Sequence, residues 1–236
     1  MKPSKPLLVI LPGLDGTGLL LERFVDRLSA DFEVTVISYP MDPKLGYAEL
    51  AELVREQLPS KPFILLGESF SGPIAIELAA REKERTQGLV LAVSFAKSPL
   101  PSFLAPLANM FNSRLAPKWL SQAMLLSGFD DNALSRKLQS VLASLPDAVV
   151  RKRLSEVATV DKTDLLRQIE CPILYLRGSQ DRLVGKGSAD LICQSIKNSH
   201  IEVLDAPHML LSTHADEVAE TMRTVNAGVK THHWPE

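Results

Sequence analysis

Four short runs constrain the fold most: Leu7-Leu-Val-Ile-Leu11, Phe63-Ile-Leu-Leu66, Leu89-Val-Leu-Ala-Val93 and Ile173-Leu-Tyr-Leu176 carry no charged side chain at any position. Successive side chains of a strand point to opposite faces, so an unbroken apolar run needs cover on both sides. A parallel sheet between two layers of helices supplies that cover; a half-solvated antiparallel sheet does not. Between the runs the apolar spacing turns helical. Leu20, Phe24, Val25 and Leu28 form one stripe, and Leu50, Leu53, Val54 and Leu58 form another that Pro59 stops. Pro73–Arg81, Ala189–Ile196 and Glu217–Val225 read as further helices, and Glu33–Ser38 and Ile201–Leu204 as further strands. The alternation predicts an α/β fold with a predominantly parallel sheet of about six strands and helices on both faces.

The alternation breaks near Phe95. From Ala96 to about Lys162 the chain holds only apolar helical pieces, punctuated by prolines at 99, 101, 106, 117 and 146. The expected organisation is therefore a core of residues 1–95 and 166–236 with a helical cap inserted over 96–165.

The length of 236 residues suits one such domain. A net charge of -2 and a pI near 6.2 give no electrostatic reason to expect nucleic acid. The basic cluster Arg151-Lys-Arg153 reads as the solvated face of a helix. No stretch approaches the ~20 apolar residues of a membrane span. Lys2 and Lys5 precede an apolar run too short for a signal peptide, so a cytoplasmic chain is expected. Cys171 and Cys193 lack a CxxC partner or a His at ligand spacing, which predicts reduced thiols and no metal. No cofactor motif accompanies them.

The stretch Phe63-Ile-Leu-Leu-Gly-Glu-Ser-Phe-Ser-Gly72 ends a strand within one turn and puts a hydroxyl at the corner. Gly67 removes a side chain that would clash there, and Ser71 and Gly72 keep the following helix close. This matches the nucleophile elbow, whose usual form is G-x-S-x-G, with Ser71 in place of the second glycine. A corner at the carboxyl edge of an open α/β sheet is where ligands bind.

A serine hydroxyl needs a base to take its proton and a group to orient that base. His208, in Leu204-Asp-Ala-Pro-His-Met-Leu210, follows a predicted strand and belongs at the same edge as Ser69. His200 precedes that strand, His214 starts the last helix, and His232 and His233 sit in a polar tail. Asp181 follows the strand Ile173–Leu176 and supplies the acid; Asp205 shares the loop of His208 and is the less natural partner. The order Ser, Asp, His is that of the hydrolase elbow. Backbone N–H groups of Phe70, opening the post-elbow helix, and Leu14, in the loop Pro12-Gly-Leu-Asp-Gly-Thr-Gly18, are the expected oxyanion donors. Asp15 in that loop reads as a turn former.

Over LLVILPGLDGTG, LLGESFSG, CPILYLRGSQDRLV and LDAPHMLL the chain resembles the α/β-hydrolase superfamily, along nearly its whole length. The resemblance implies Ser69 as nucleophile, His208 as base, Asp181 as acid, and Leu14 and Phe70 as oxyanion donors. It also implies that 96–165 is the helical cap this family inserts. Three departures stand out: the chain starts at the family's third strand, Pro12-Gly13 replaces the usual His-Gly pair, and Ser71 replaces a glycine.

A serine at the elbow, where dehalogenase and epoxide-hydrolase relatives carry a carboxylate, points to acyl chemistry. The expected partner is a small-molecule ester of a small to medium acyl chain, cleaved through an acyl-enzyme. Phe103, Leu104, Leu107, Met110, Phe111, Trp119, Leu120, Met124, Leu125 and Phe129 make the cap apolar, mostly through its own packing and in part as an acyl pocket. Thioesterase or acyltransferase activity uses the same triad. A non-catalytic ligand receptor is the reading from a different class.

Overall fold

The computed structural model describes residues 5–100 and 118–231, with side chains for all but 118 and 225–231. Six strands form one sheet: β1 (Leu7–Leu11), β2 (Glu33–Val36), β3 (Phe63–Glu68), β4 (Thr86–Ala92), β5 (Ile173–Gly178) and β6 (Ser199–Leu204). Their order across the sheet is β2-β1-β3-β4-β5-β6, and every neighbouring pair is parallel. This is the architecture that the alternating pattern predicts.

Period-two alternation explains why the runs are apolar throughout. Val9, Leu11, Phe63, Leu65, Leu89, Leu91, Ile173 and Tyr175 face one core. Leu8, Ile10, Ile64, Leu66, Val90, Ala92, Leu174 and Leu176 face the other. The first core is closed by α2 (Tyr47–Gln57) and α3 (Gly72–Arg81), and by the later helix Lys186–Ser195. The second is closed by α1 (Glu22–Leu28) and the helices Leu210–Thr213 and Ala215–Thr231. All six residues of β3 are buried, whereas edge strand β2 alternates exposed and half-buried positions. Burial on both faces stabilises each central Val, Leu or Ile by about 1.5–3 kcal/mol.

Between β4 and β5 the chain leaves the sheet and returns. Departing and returning strands of chain cross antiparallel at Lys97 and Asp161; Ser98 N–H donates to the Val160 carbonyl and Lys162 N–H to that of Ala96. The excursion contains α4 (Lys118–Leu125), α5 (Asn132–Ser144) and α6 (Asp147–Thr159), followed by α7 (Thr163–Leu166). In chain order the later helices are α8 (Lys186–Ser195), α9 (Leu210–Thr213) and α10 (Ala215–Thr231). Asp131 caps α5, accepting from the N–H groups of Ala133 and Leu134 at 2.9 Å each. Leu126 and Leu138 pack against Met209, next to His208. Phe103, Leu104, Leu107, Met110 and Phe111 lie outside the described residues. Trp119 is 66% exposed and Leu120 39%. Among the described residues no helix is long and apolar enough to cross a membrane.

Candidate active site

The carboxyl ends of the strands lie side by side, with Leu11 paired to Gly67, Glu68 to Ala92 and Gly178 to Leu204. Ser69 follows β3 directly, Asp181 follows β5, and His208 follows β6. The structure brings them together. His208 Nε2 lies 2.8 Å from Ser69 Oγ, and His208 Nδ1 lies 2.8 Å from Asp181 Oδ2. A carboxylate accepts from Nδ1–H, which fixes the tautomer and leaves the Nε2 lone pair facing the hydroxyl. Asp181 Oδ1 accepts the N–H groups of Leu183 at 2.8 Å and Val184 at 3.0 Å, so the carboxylate cannot swing away from the ring. The side chains of His208 and Asp181 are 6% and 1% exposed.

The elbow is strained at its corner. Ser69 has φ 48°, in the left-handed region that side-chain-bearing residues seldom occupy. The strand runs into a single 3-10 turn, Ser69–Ser71, and then into α3. A Cβ on Gly67 would lie 2.7 Å from Ala75 Cβ, and one on Gly72 would lie 1.8 Å from Ser94 Oγ. Small residues at these two positions let strand, helix and the loop after β4 meet at one point.

The other sequence-predicted groups are placed as follows. Phe70 sits in the first turn after the corner, where backbone N–H groups have no intrahelical partner. Leu14 lies in the β1 loop, whose Gly13 N–H donates to Glu68 Oε2 at 3.1 Å. Asp15 forms a turn, as expected: its Oδ2 accepts from Thr17 N–H at 2.9 Å and from the Thr17 hydroxyl. Asp205 does not reach His208 but accepts from Ser179 Oγ at 2.6 Å and Gln180 Nε2 at 3.0 Å. His200 pairs with Glu202 on the surface. His214 bonds the Thr213 hydroxyl and packs on Phe129. His232 and His233 lie outside the described residues. Cys171 and Cys193 are free, and burial pushes the Cys171 thiol up to about 12. Among the described residues no cluster of His, Cys, Asp and Glu could hold a metal ion.

Several functional neighbours escaped sequence reasoning. Ser71 donates to the Pro12 carbonyl and accepts from Tyr39 Oη at 2.5 Å, which explains a serine where the elbow pattern has glycine. Glu68 is buried, and desolvation, then the charge of Asp15, push its carboxyl up to about 8 against the opposing Gly13 N–H bond. The largest correction concerns Arg153, expected on a solvated helix face but only 2% exposed. Val149, Arg153 and Val157 recur every fourth residue and share the buried face of α6. That spacing was the available signal, and the flanking Arg151 and Lys152 masked it.

A profile of the alpha/beta hydrolase family matches residues 8–221. The chain belongs to that family. It is 29% identical to a pimeloyl-[acyl-carrier protein] methyl ester esterase of Aeromonas salmonicida, over 92% of this chain and 94% of that protein. It is 33% identical to phytyl ester synthase 2 of Arabidopsis thaliana over 116 residues, 46% of this chain but 16% of that much longer protein. Its fold superposes on the enol-lactonase of Burkholderia xenovorans LB400 with a TM-score of 0.83 at 18% identity, covering 95% and 92% of the two chains.

Proposed function

We propose that this chain is a serine ester hydrolase acting on small to medium acyl esters. The observation that carries the reading is the pair of 2.8 Å contacts linking Ser69, His208 and Asp181 from three different strand ends. In this reading the Ser69 proton passes to His208 Nε2 as Oγ bonds to the ester carbonyl carbon. The carbonyl oxygen takes the negative charge and is held by the N–H groups of Leu14 and Phe70. His208 then gives its proton to the departing alkoxide as the C–O bond breaks, leaving an acyl-enzyme and a free alcohol. Water adds to the acyl carbon, its proton goes to His208, and the carboxylic acid leaves as Ser69 regains its hydrogen. Asp181 holds the ring and balances the imidazolium charge. Segment 96–165 serves as a cap over this edge, excluding water from the reacting carbonyl.

The near full-length likeness to a methyl ester esterase favours simple alkyl esters as first substrates. The likeness to a phytyl ester synthase favours acyl transfer, in which an alcohol replaces water in the second step, as the second reading. A fluorophosphonate probe tests the common mechanism: it should label the wild type at Ser69 and leave S69A unlabelled. A wild type that is neither labelled nor able to release p-nitrophenol from p-nitrophenyl butyrate overturns the reading. Adding a long-chain alcohol and weighing ester product against free acid separates transfer from hydrolysis.

A further inference from the structure

Arg153 comes from α6, inside the excursion between β4 and β5, yet its guanidinium ends beneath the loop after β1. Nη1 donates to the carbonyls of Leu14 at 2.7 Å and Asp15 at 2.9 Å, and Nη2 donates to that of Pro40 at 3.1 Å. The same group lies over the ring of Tyr39 at 5.7 Å and that of Phe70 at 5.9 Å. Among the described residues it forms no ion pair. A buried cation is costly unless its donors are satisfied, and here they are satisfied by backbone carbonyls and aromatic faces. We propose that Arg153 is a positioning residue that aims the Leu14 N–H at the oxyanion. This deepens the hydrolase reading and rests on it.

The backbone groups of the loop are held from both sides. The Pro12 carbonyl accepts from Ser71, the Gly13 N–H donates to Glu68, and the Gly13 carbonyl accepts from Gly16 N–H at 3.0 Å. Arg153 takes the Leu14 carbonyl. Between the Pro12 and Leu14 carbonyls, the Leu14 N–H is the one polar backbone group that makes no hydrogen bond among the described residues. Its peptide is trans, so N–H and C=O point oppositely. With the Gly13 carbonyl turned into the loop, the Leu14 N–H faces outward. Ser71 and Glu68 fix the start of this peptide from the elbow, and Arg153 fixes its far side. Without Arg153 the Leu14 carbonyl is released, the loop is held only through Pro12 and Gly13, and the donor loses its aim. The guanidinium also covers the ring of Phe70, whose N–H is the other proposed donor.

An oxyanion donor contributes about 10²–10³ in rate, and the loss falls on kcat because the interaction strengthens only in the transition state. In R153M, kcat for p-nitrophenyl butyrate should fall about 10²-fold with KM changed less than about threefold. R153K keeps the charge but carries one point charge in place of a fork. It should fold like the wild type by circular dichroism and still lose about tenfold in kcat. In R153A, millimolar guanidinium, far below denaturing concentration, should restore about a tenth or more of wild-type kcat by refilling the site. A strut without a role in aiming the donor would lower melting temperature and leave the kcat of the folded fraction intact. Wild-type kcat in folded R153K, or no rescue of R153A, overturns the proposal while fluorophosphonate labelling at Ser69 still stands. An unlabelled wild type overturns both.

Discussion

Ser94 Oγ donates to the backbone carbonyl of Ser69 at 2.5 Å, and the same oxygen occupies the space a Cβ on Gly72 would need. The loop after β4 thus props the elbow from below. Its own backbone is strained, since Val93 is β-branched and has φ 46°. Tyr175 Oη donates to the Ser94 carbonyl at 2.5 Å and holds the prop against the sheet.

This contact makes Gly72 and Ser94 energetically coupled. Gly72→Ala should destabilise the fold by about 2 kcal/mol, the cost of forcing a methyl group into a filled site. Ser94→Gly should cost about 1 kcal/mol through the lost bond and loosened loop. Combined, they should destabilise by less than the sum, because the glycine frees the space the alanine needs. Urea unfolding of the four proteins measures this, and simple additivity would count against the contact.

The two carboxylates near His208 should separate cleanly. Asp181→Asn should lower kcat by about 10⁴-fold while melting stays within a few degrees, since the amide leaves the ring in the wrong tautomer. Asp205→Asn should retain kcat within about threefold, because that carboxylate is exposed and engages Ser179 and Gln180 instead. Steady-state rates with one p-nitrophenyl ester decide it, and a more damaging Asp205 change would reverse the assignment.

Glu68 should impose a pH dependence on stability. Its carboxyl is raised from 4.5 to about 8 by burial first and Asp15 second. Between those values the folded chain keeps a proton that the unfolded chain has released. Stability therefore falls as pH rises through that window and levels off above it. Glu68→Gln stays neutral and keeps a carbonyl for the Gly13 N–H. Its melting temperature relative to the wild type should climb steadily from about pH 4.5 to about pH 8 and hold thereafter. Parallel melting curves across that range would show that Glu68 is not buried as a neutral acid.

Ser69, Asp181 and His208 were legible because each ends a recognisable strand, and parallel strands deliver their ends to one edge. Asp205 read as the less natural partner because a residue on the loop of His208 itself has little room to turn back on that ring. Arg153 was not legible, because its helix lies in the excursion and nothing local says which β-loop it meets. Ser71 looked like an irregularity in a pattern until Pro12 and Tyr39 were seen on either side of it.

By itself the chain determined the sheet, its two helical layers and the residue types at its carboxyl edge, because periodicity and strand-end position are local properties. Tertiary structure alone decided which buried groups hold the Leu14 peptide and prop the Ser69 corner. Those partners, Arg153, Glu68 and Ser94, come from segments far apart in sequence, and a hydrogen bond across such a distance leaves no spacing to read.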